Sequence, residues 1–401
     1  MSWEYVTLDK LGDVSRGRSK HRPRNDASLF GGDYPFIQTA DVKDAPFYIT
    51  SYSDTYNEKG LAQSKLWHKG TLCITIAANI ADTAILGIDA CFPDSVMGFL
   101  PYKGVSDVRF VKYAFDMLQR DMRQISQGTA QDNLSWQKLS TIKFPKPPIE
   151  IQERIADLLV SYEDLIENNQ NQIKLLEEAA QRLYKEWFVD FRFPGHENTE
   201  IVDGLPEGWR NGRADEFFEI TIGKTPPRAE KQWFVKGDEG VAWASISDMG
   251  NAGAFLFNTA EGLTEDAVAN HNMKVVPIGT ILLSFKLTLG RVSITTKPMC
   301  TNEAIAHFRI NNPEDREYTY SYLKNFEYDT LGNTSSISKA VNSKIIKAMP
   351  FIMPDEFIKV EYSKLVAPIM DDIYTKQKQI ISLAEARDRL LPKLMSGEIE
   401  L

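Results

Sequence analysis

Apolar residues recur every three or four positions along two long stretches of the chain. The first runs Ile151, Ile155, Leu158, Tyr162, Leu165, Asn169, Ile173, Leu176, Ala180, Leu183 and Trp187. That spacing places them on one stripe of a helix of about 40 residues, roughly 60 Å long. The second runs Tyr362, Leu365, Ile369, Ile373, Lys376, Ile380, Leu383, Arg387, Leu390 and Leu394. Pro368 falls inside it and is expected to kink the helix or delay its regular start. Each stripe is too narrow to form a core alone, so the simplest partner for either helix is the other, packed antiparallel as a coiled coil. Asn169 and Lys376 interrupt the two stripes at equivalent points. A polar residue in an apolar seam can specify register; the plainer alternative is that both face solvent.

Ahead of each helix the pattern changes to short runs of β-formers. Gly70–Ile76 and Gly279–Phe285 each read as a strand opened by a glycine turn, and Phe36–Val42 and Trp243–Met249 as strands ending in polar residues. Short helical patterns follow at Val111–Arg120 and Tyr318–Phe326. Proline-bounded strands at 142–148 and 349–354 then lead into the long helices. These pairs expose a duplication. Trp3 is echoed by Trp209, Gly17 by Gly223, Cys91 by Cys300, Tyr113 by Tyr322 and Leu176 by Leu383, all offset by 206 to 209 positions. A period that long describes two whole domains rather than stacked small repeats. The expected fold is α+β: two tandem mixed, strand-rich domains with two long helices, pseudo-two-fold symmetric. The expected divisions are 1–148, a helix over 149–192, a second domain over 193–355 that opens with a linker (193–208), and a helix over 356–401. The antiparallel arrangement would make a rod carrying one domain at each end.

Composition is that of an ordinary soluble chain, with 43% hydrophobic and 25% charged residues among 401. No apolar run is long enough to span a membrane. The opening Met1-Ser2-Trp3-Glu4-Tyr5 does not read as a signal peptide, which makes the cytoplasm the expected location. Cys73, Cys91 and Cys300 form no CxxC pair and sit in strand-like runs, as small core residues of a reduced compartment would. The net charge of −9 is unevenly spread. Residues 1–148 hold 18 Lys and Arg against 16 Asp and Glu, a net of +2; 149–193 are the most acidic, at 5 against 10. Residues 194–354 stand at −4 and 355–401 at −2. Nucleic-acid binding requires a basic face rather than a basic whole, so the total does not exclude it.

The chemistry of enzymes is hard to find. The chain contains no Asn/Asp-Pro-Pro-Tyr/Phe tetrapeptide and no glycine-rich cofactor turn after a strand. Gly223-Lys224-Thr225 resembles the end of a phosphate loop, but Phe218 stands where the upstream glycine belongs. Pro354-Asp355-Glu356 lacks the acidic-x-Lys partner of a nuclease, and the five histidines show no metal-ligand spacing. No catalytic and no metal-binding residue is assigned. What remains is basic and amide-rich loops. Arg16, Arg18, Lys20, Arg22 and Arg24 crowd one glycine- and proline-punctuated segment, and Lys224 and Arg228 occupy its repeat counterpart. Such cations hold phosphates or read guanine edges, or simply solvate a loop. Gln127, Gln131 and Asn133 lie in a second loop whose counterpart includes Lys339; amides can pair bidentately with adenine, although such residues are also ordinary turn material. Lys286 and Arg291 complete the candidate DNA-contacting set.

The motifs at the helices resemble those of the specificity subunits of type I restriction–modification systems, over essentially the whole chain. They are Pro147-Pro148-Ile149-Glu150-Ile151-Gln152-Glu153-Arg154-Ile155-Ala156, then Leu183-Tyr184-Lys185-Glu186-Trp187-Phe188-Val189-Asp190-Phe191, the linker from Phe193-Pro194-Gly195 to Trp209, and the ending Arg389-Leu390-Leu391-Pro392-Lys393-Leu394-Met395-Ser396-Gly397. The resemblance implies a non-catalytic reader of bipartite double-stranded DNA, in which each globular half is a target-recognition domain for one half-site and the paired helices set the spacer. Two modification subunits would dock on it and methylate adenine N6, and a restriction subunit would translocate and cleave. S-adenosylmethionine, ATP and Mg would reside on those partners and no cofactor on this chain. Ile155, Leu158, Leu165, Asn169, Leu176, Leu183, Trp187, Ile373, Lys376, Leu383, Leu390 and Leu394 would serve helix pairing and partner docking. The rival class is a scaffold whose repeated domains bind protein rather than DNA; a fused modification enzyme is disfavoured by the missing methyltransferase motifs.

Overall fold

The computed structural model describes residues 3–76, 82–127, 139–331 and 341–401, with side chains omitted over 120–127. Its contacts divide the chain into two compact units, Met1–Glu167 with Ser382–Leu401, and Asn168–Ile381. Each unit therefore takes in a strand-rich domain and a portion of both long helices.

In the first unit, a five-stranded sheet has the order Gly12–Arg16, Val96–Pro101, Leu72–Thr75, Thr83–Leu86, Tyr48–Ile49, antiparallel except for the last pair. A four-stranded sheet follows the order Asp54–Tyr56, Phe30–Phe36, Ala90–Cys91, Leu66–Trp67. The strand Glu4–Thr7 pairs with Lys143–Lys146 just before the long helix begins. The second unit repeats this plan. Its five-stranded sheet is Glu219–Ile222, Ile305–Arg309, Ile281–Ser284, Val292–Thr295, Phe255–Leu256, and Arg210–Arg213 pairs with Pro350–Met353 ahead of the second helix. In the smaller sheet, Val241–Ala244 pairs antiparallel with Glu261–Leu263 and parallel with Cys300–Thr301, as Phe30–Phe36 does with Asp54–Tyr56 and Ala90–Cys91. The fourth strand is added on opposite edges: Leu66–Trp67 beyond Ala90–Cys91, and Phe234–Lys236 beyond Glu261–Leu263.

Two expected strands prove shorter. Phe36–Val42 and Trp243–Met249 leave the sheet at Phe36 and Ala244 and turn into the helices Thr39–Asp44 and Ile246–Asn251. The cause is a capping box in each. Gln38 and Ser245 are the N-caps, and Asp41 and Asp248 reach back to their backbone N–H groups at 2.7 and 2.8 Å. The alternating apolar pattern carried no hint of this because the caps lie inside it.

The long helices span Ile149–Tyr184, continuing as a π-helical turn through Val189, and Glu356–Ser396. The second runs unbroken through Pro368 and starts without delay. Proline removes the N–H that would meet the Lys364 carbonyl, and Lys364 is exposed, so water can serve that carbonyl instead. Helix pairing occurs inside each unit and is antiparallel. In the first unit, Ile155, Ala156, Leu159 and Val160 share a core with Leu394 and Met395, and Leu158, Leu390 and Leu391 pack at its margin. In the second, Ala180, Tyr184 and Trp187 join Tyr362, Val366, Met370 and Ile373, with Leu176 and Leu183 packed alongside. The stripes sit one position from the expected ones in places. Leu159 and Ile166 are buried where Leu158 and Leu165 were expected, and Leu165 and Leu365 are each about half exposed, at 50% and 51%. Adjacent apolar pairs (158–159, 165–166, 365–366) fit either of two neighbouring stripes, so spacing alone could not choose between them. Asn169 is buried, Lys376 lies 3.5 Å from Asp372, and Leu383 is half-buried.

Candidate nucleic-acid interface

The basic segment after Arg16 is held to its sheet by a glycine. Gly17 N–H donates to the Val96 carbonyl at 2.8 Å and Arg18 N–H to the Phe92 carbonyl at 3.0 Å. A Cβ on Gly17 would fall well inside van der Waals contact with the Pro93 carbonyl and the Phe92 ring, so the close approach requires glycine. The second unit builds the same device. Gly223 N–H donates to the Ile305 carbonyl at 3.1 Å, Lys224 N–H to that of Thr301 at 2.9 Å, and a Cβ on Gly223 would collide with Thr301 and the Asn302 carbonyl. Each loop thus leans on a tight turn closed by Val96 N–H to Pro93 O (3.0 Å) or Ile305 N–H to Asn302 O (3.3 Å). Gly17→Ala and Gly223→Ala are expected to destabilise their units by about 1–3 kcal/mol each, the usual range for overpacking. Thermal unfolding reads this as a drop of about 2–4 °C per kcal/mol for units of this size.

The cations are arranged unequally. Arg16, Arg18, Lys20, Arg22 and Arg24 are all exposed. The loop that bears them is pinned: Gln63 Oε1 accepts from the Lys20 and His21 N–H groups at 2.6 and 2.9 Å, and Ser64 Oγ donates to the Arg18 carbonyl at 2.7 Å. Arg22 Nη1 donates to the Ser19 and His21 carbonyls, while Arg24 meets Asp94 at 2.6 Å with Arg22 3.8 Å from the same carboxylate. In the second unit, Arg228 lies 4.4 and 4.5 Å from the ring centres of Phe234 and Trp243 and is paired with Glu261 at 2.9 Å. Trp243 Nε1 in turn donates to the Lys224 carbonyl at 3.0 Å, and Lys224 Nζ reaches the His271 carbonyl at 3.4 Å. Lys286 is exposed beside the Phe285 ring. Arg291 is half-buried and donates to the Ile246 carbonyl at 2.6 Å, a bond that holds the helix Ile246–Asn251 against the sheet. Gln127 closes the helix Val108–Gln127, its side chain beyond description, and Gln131, Asn133 and Lys339 lie outside the described residues.

Sequence reasoning overlooked Asp94 and Glu303. Each occupies the same position of the tight turn, three residues after the echoed Cys91 and Cys300, and each sits among its own unit's loop cations. Thr225 Oγ1 donates a short hydrogen bond to Glu303. That bond, with weaker help from the charges of Lys286 and Arg228, holds the carboxyl below its usual range. The signal was available: the offset of 209 that relates the cysteines relates the two acids as well.

Comparison with known proteins identifies this twice-built arrangement. The family model for the type I restriction modification DNA specificity domain matches residues 2–178 and again 206–384. The chain belongs to that family. Two specificity subunits resemble it over nearly their full length: that of the type I restriction enzyme MjaIX of Methanocaldococcus jannaschii, 25% identical over all of this chain and 94% of the relative, and that of HindI of Haemophilus influenzae, 24% identical over 97% and 98%. The crystal structure of the type I restriction–modification S subunit of M. genitalium has the same fold, with a TM-score of 0.62 at 18% identity, covering 98% of this chain and 96% of that one. Among the described residues no group of three or more His, Cys, Asp or Glu is placed to hold a metal ion, and no helix is long and apolar enough to cross a membrane.

Proposed function

We propose that this chain is the DNA target-recognition subunit of a type I restriction–modification complex, each unit reading one half of a bipartite site. The carrying observation is the glycine-anchored basic loop, built twice on matching sheets in the two segments that bear the specificity domain. Loops of this kind are suited to phosphates and base edges, and they differ between the units where different sequences would be read. One domain reading a few base pairs could not select a rare genomic site, whereas two linked readers multiply their selectivity. In this reading, two modification subunits dock along the helices, where Leu165 and Leu365 offer apolar surface, and methylate adenine N6 with S-adenosylmethionine. A restriction subunit supplies ATP- and Mg-dependent translocation and cleavage, the chain itself carries no cofactor and no catalytic group, and the whole operates in the cytoplasm. A protein-binding scaffold is disfavoured by the family to which the chain belongs.

Methylome sequencing of cells that make this chain with its modification partner tests the proposal. Exchanging residues 1–148 for the matching segment of another family member is expected to change one half of the methylated sequence and leave the other intact. A change in both halves, or methylation that does not depend on the chain, overturns it.

A further inference from the structure

We infer that Asp94 and Glu303 are base-reading residues, each accepting a hydrogen bond from the exocyclic amino group of a cytosine or adenine in its own half-site. The inference rests on the DNA-recognition reading above and names the residues that carry part of it.

A carboxylate beside a cationic loop repels phosphate, so a face built only to hold the DNA backbone would be better without it. Yet both units place one there, at the same position of the turn that the loop glycine packs against. The two are held differently, Asp94 by Arg24 and Arg22 and Glu303 by the Thr225 hydroxyl. What recurs is the acid itself rather than one ion pair. Both remain accessible, Glu303 exposed and Asp94 half-exposed, with 38% of its side chain in solvent. An ionised carboxylate only accepts hydrogen bonds, which suits the amino groups that cytosine and adenine display in the major groove and disfavours carbonyl edges. The surrounding arginines and lysines then serve two purposes: they orient the acid in the free protein and meet the flanking phosphates in the complex.

The test uses the full chain assembled with its modification partner and three duplexes: the site mapped by methylation sequencing, and the same site with either half scrambled. Asp94→Ala is expected to reduce discrimination between the mapped duplex and the one scrambled in its half by roughly tenfold to a hundredfold, the worth of one good base contact. Discrimination at the other half should stay unchanged, and binding to the duplex scrambled in the variant's own half should hold or strengthen because a negative charge is gone. Glu303→Ala should do the same for the opposite half. Thermal unfolding of both variants checks that the units remain folded. An equal fall on all duplexes would reduce the acids to positioning their cations, and an equal rise would reduce them to plain repulsion; either overturns the inference. Wild-type complex that fails to prefer the mapped duplex overturns the recognition reading itself.

Discussion

Arg387→Ala lowers the stability of the unit formed by residues 1–167 and 382–401 by about 3 kcal/mol, the low end of the range for breaking a buried ion pair. Arg387 Nη1 donates to both oxygens of Glu163, at 2.9 and 3.0 Å, and joins the two long helices within that unit. The Glu163 and Arg387 side chains are only 14% and 24% exposed, so solvent cannot replace the lost partner. Burial already pushes the Glu163 carboxyl up, with Arg387 as its main offset. Asp116 is likewise pushed up by burial, held back first by Lys112 at 2.8 Å and more weakly by Arg387. One guanidinium thus serves two desolvated carboxylates. Without it, Glu163 titrates higher still in the folded state while its unfolded value is unchanged. A folded pKa raised in an acid means that the folded protein binds the extra proton. The penalty is therefore full above the raised value and shrinks as pH falls towards the ordinary carboxylate range. Urea unfolding at several pH values should show the variant's deficit narrowing in acid. The double variant Glu163→Met, Arg387→Met should recover part of the loss, because an apolar pair leaves no unpaired charge. A deficit of only a few tenths of a kcal/mol at neutral pH would show the bridge to be solvent-screened.

Much of this molecule was written in its pattern. The two long helices, the duplication and the proline-bounded strands leading into each helix follow from spacing that repeats over many residues. Even the glycines proved informative, since Gly17 and Gly223 are echoed because a Cβ would strike the neighbouring turn. What the pattern could not give depends on three-dimensional competition. Leu158 and Leu159 are equally apolar, and only packing against Leu394 and Met395 decides which is fully buried. The capping boxes at Gln38 and Ser245 override strand propensity with local hydrogen bonds. Arg291 looked like any other basic loop residue, yet its hydrogen bond runs to the carbonyl of Ile246, 45 positions away. Asp94 and Glu303 were passed over because acids are discounted when basic residues are sought. Their significance appears only when the turns that bear them are matched through the same glycine contact in both units.

The duplication also shows where the units should behave differently, and acid is expected to separate them. His307 sits on a central strand of the second unit, facing Thr221 across the ladder, and is 1% exposed. Its Nδ1 lies 2.9 Å from the Thr221 hydroxyl and its Nε2 2.7 Å from that of Thr301. Thr301 Oγ1 donates onward to the Asn302 carbonyl at 3.0 Å, so it accepts from Nε2–H and leaves Nδ1 to accept from Thr221. The neutral ring is satisfied on both sides. Burial lowers its pKa to about 4, against an ordinary value of 6.5. The unfolded chain then binds a proton that the folded chain refuses, so stability falls as pH drops from about 6.5 to about 4. The expected loss between pH 7 and pH 4.5 is about 2 kcal/mol from this group alone. His307→Gln, which can still donate and accept, should show a flatter profile by that amount in urea unfolding, while the carboxylates shared by both proteins cancel. In the first unit the same ladder position pairs Gly98 with Ser15, and the ring of Trp67 covers the glycine. No imidazole exists at that ladder position to charge, so acid should loosen the Thr301–Glu303 turn and its Gly223 loop through His307 while leaving the sheet beneath the Gly17 loop intact. Hydrogen exchange at pH 4.5 that opened both loops equally, or neither, would show that His307 does not set the acid limit of the second unit.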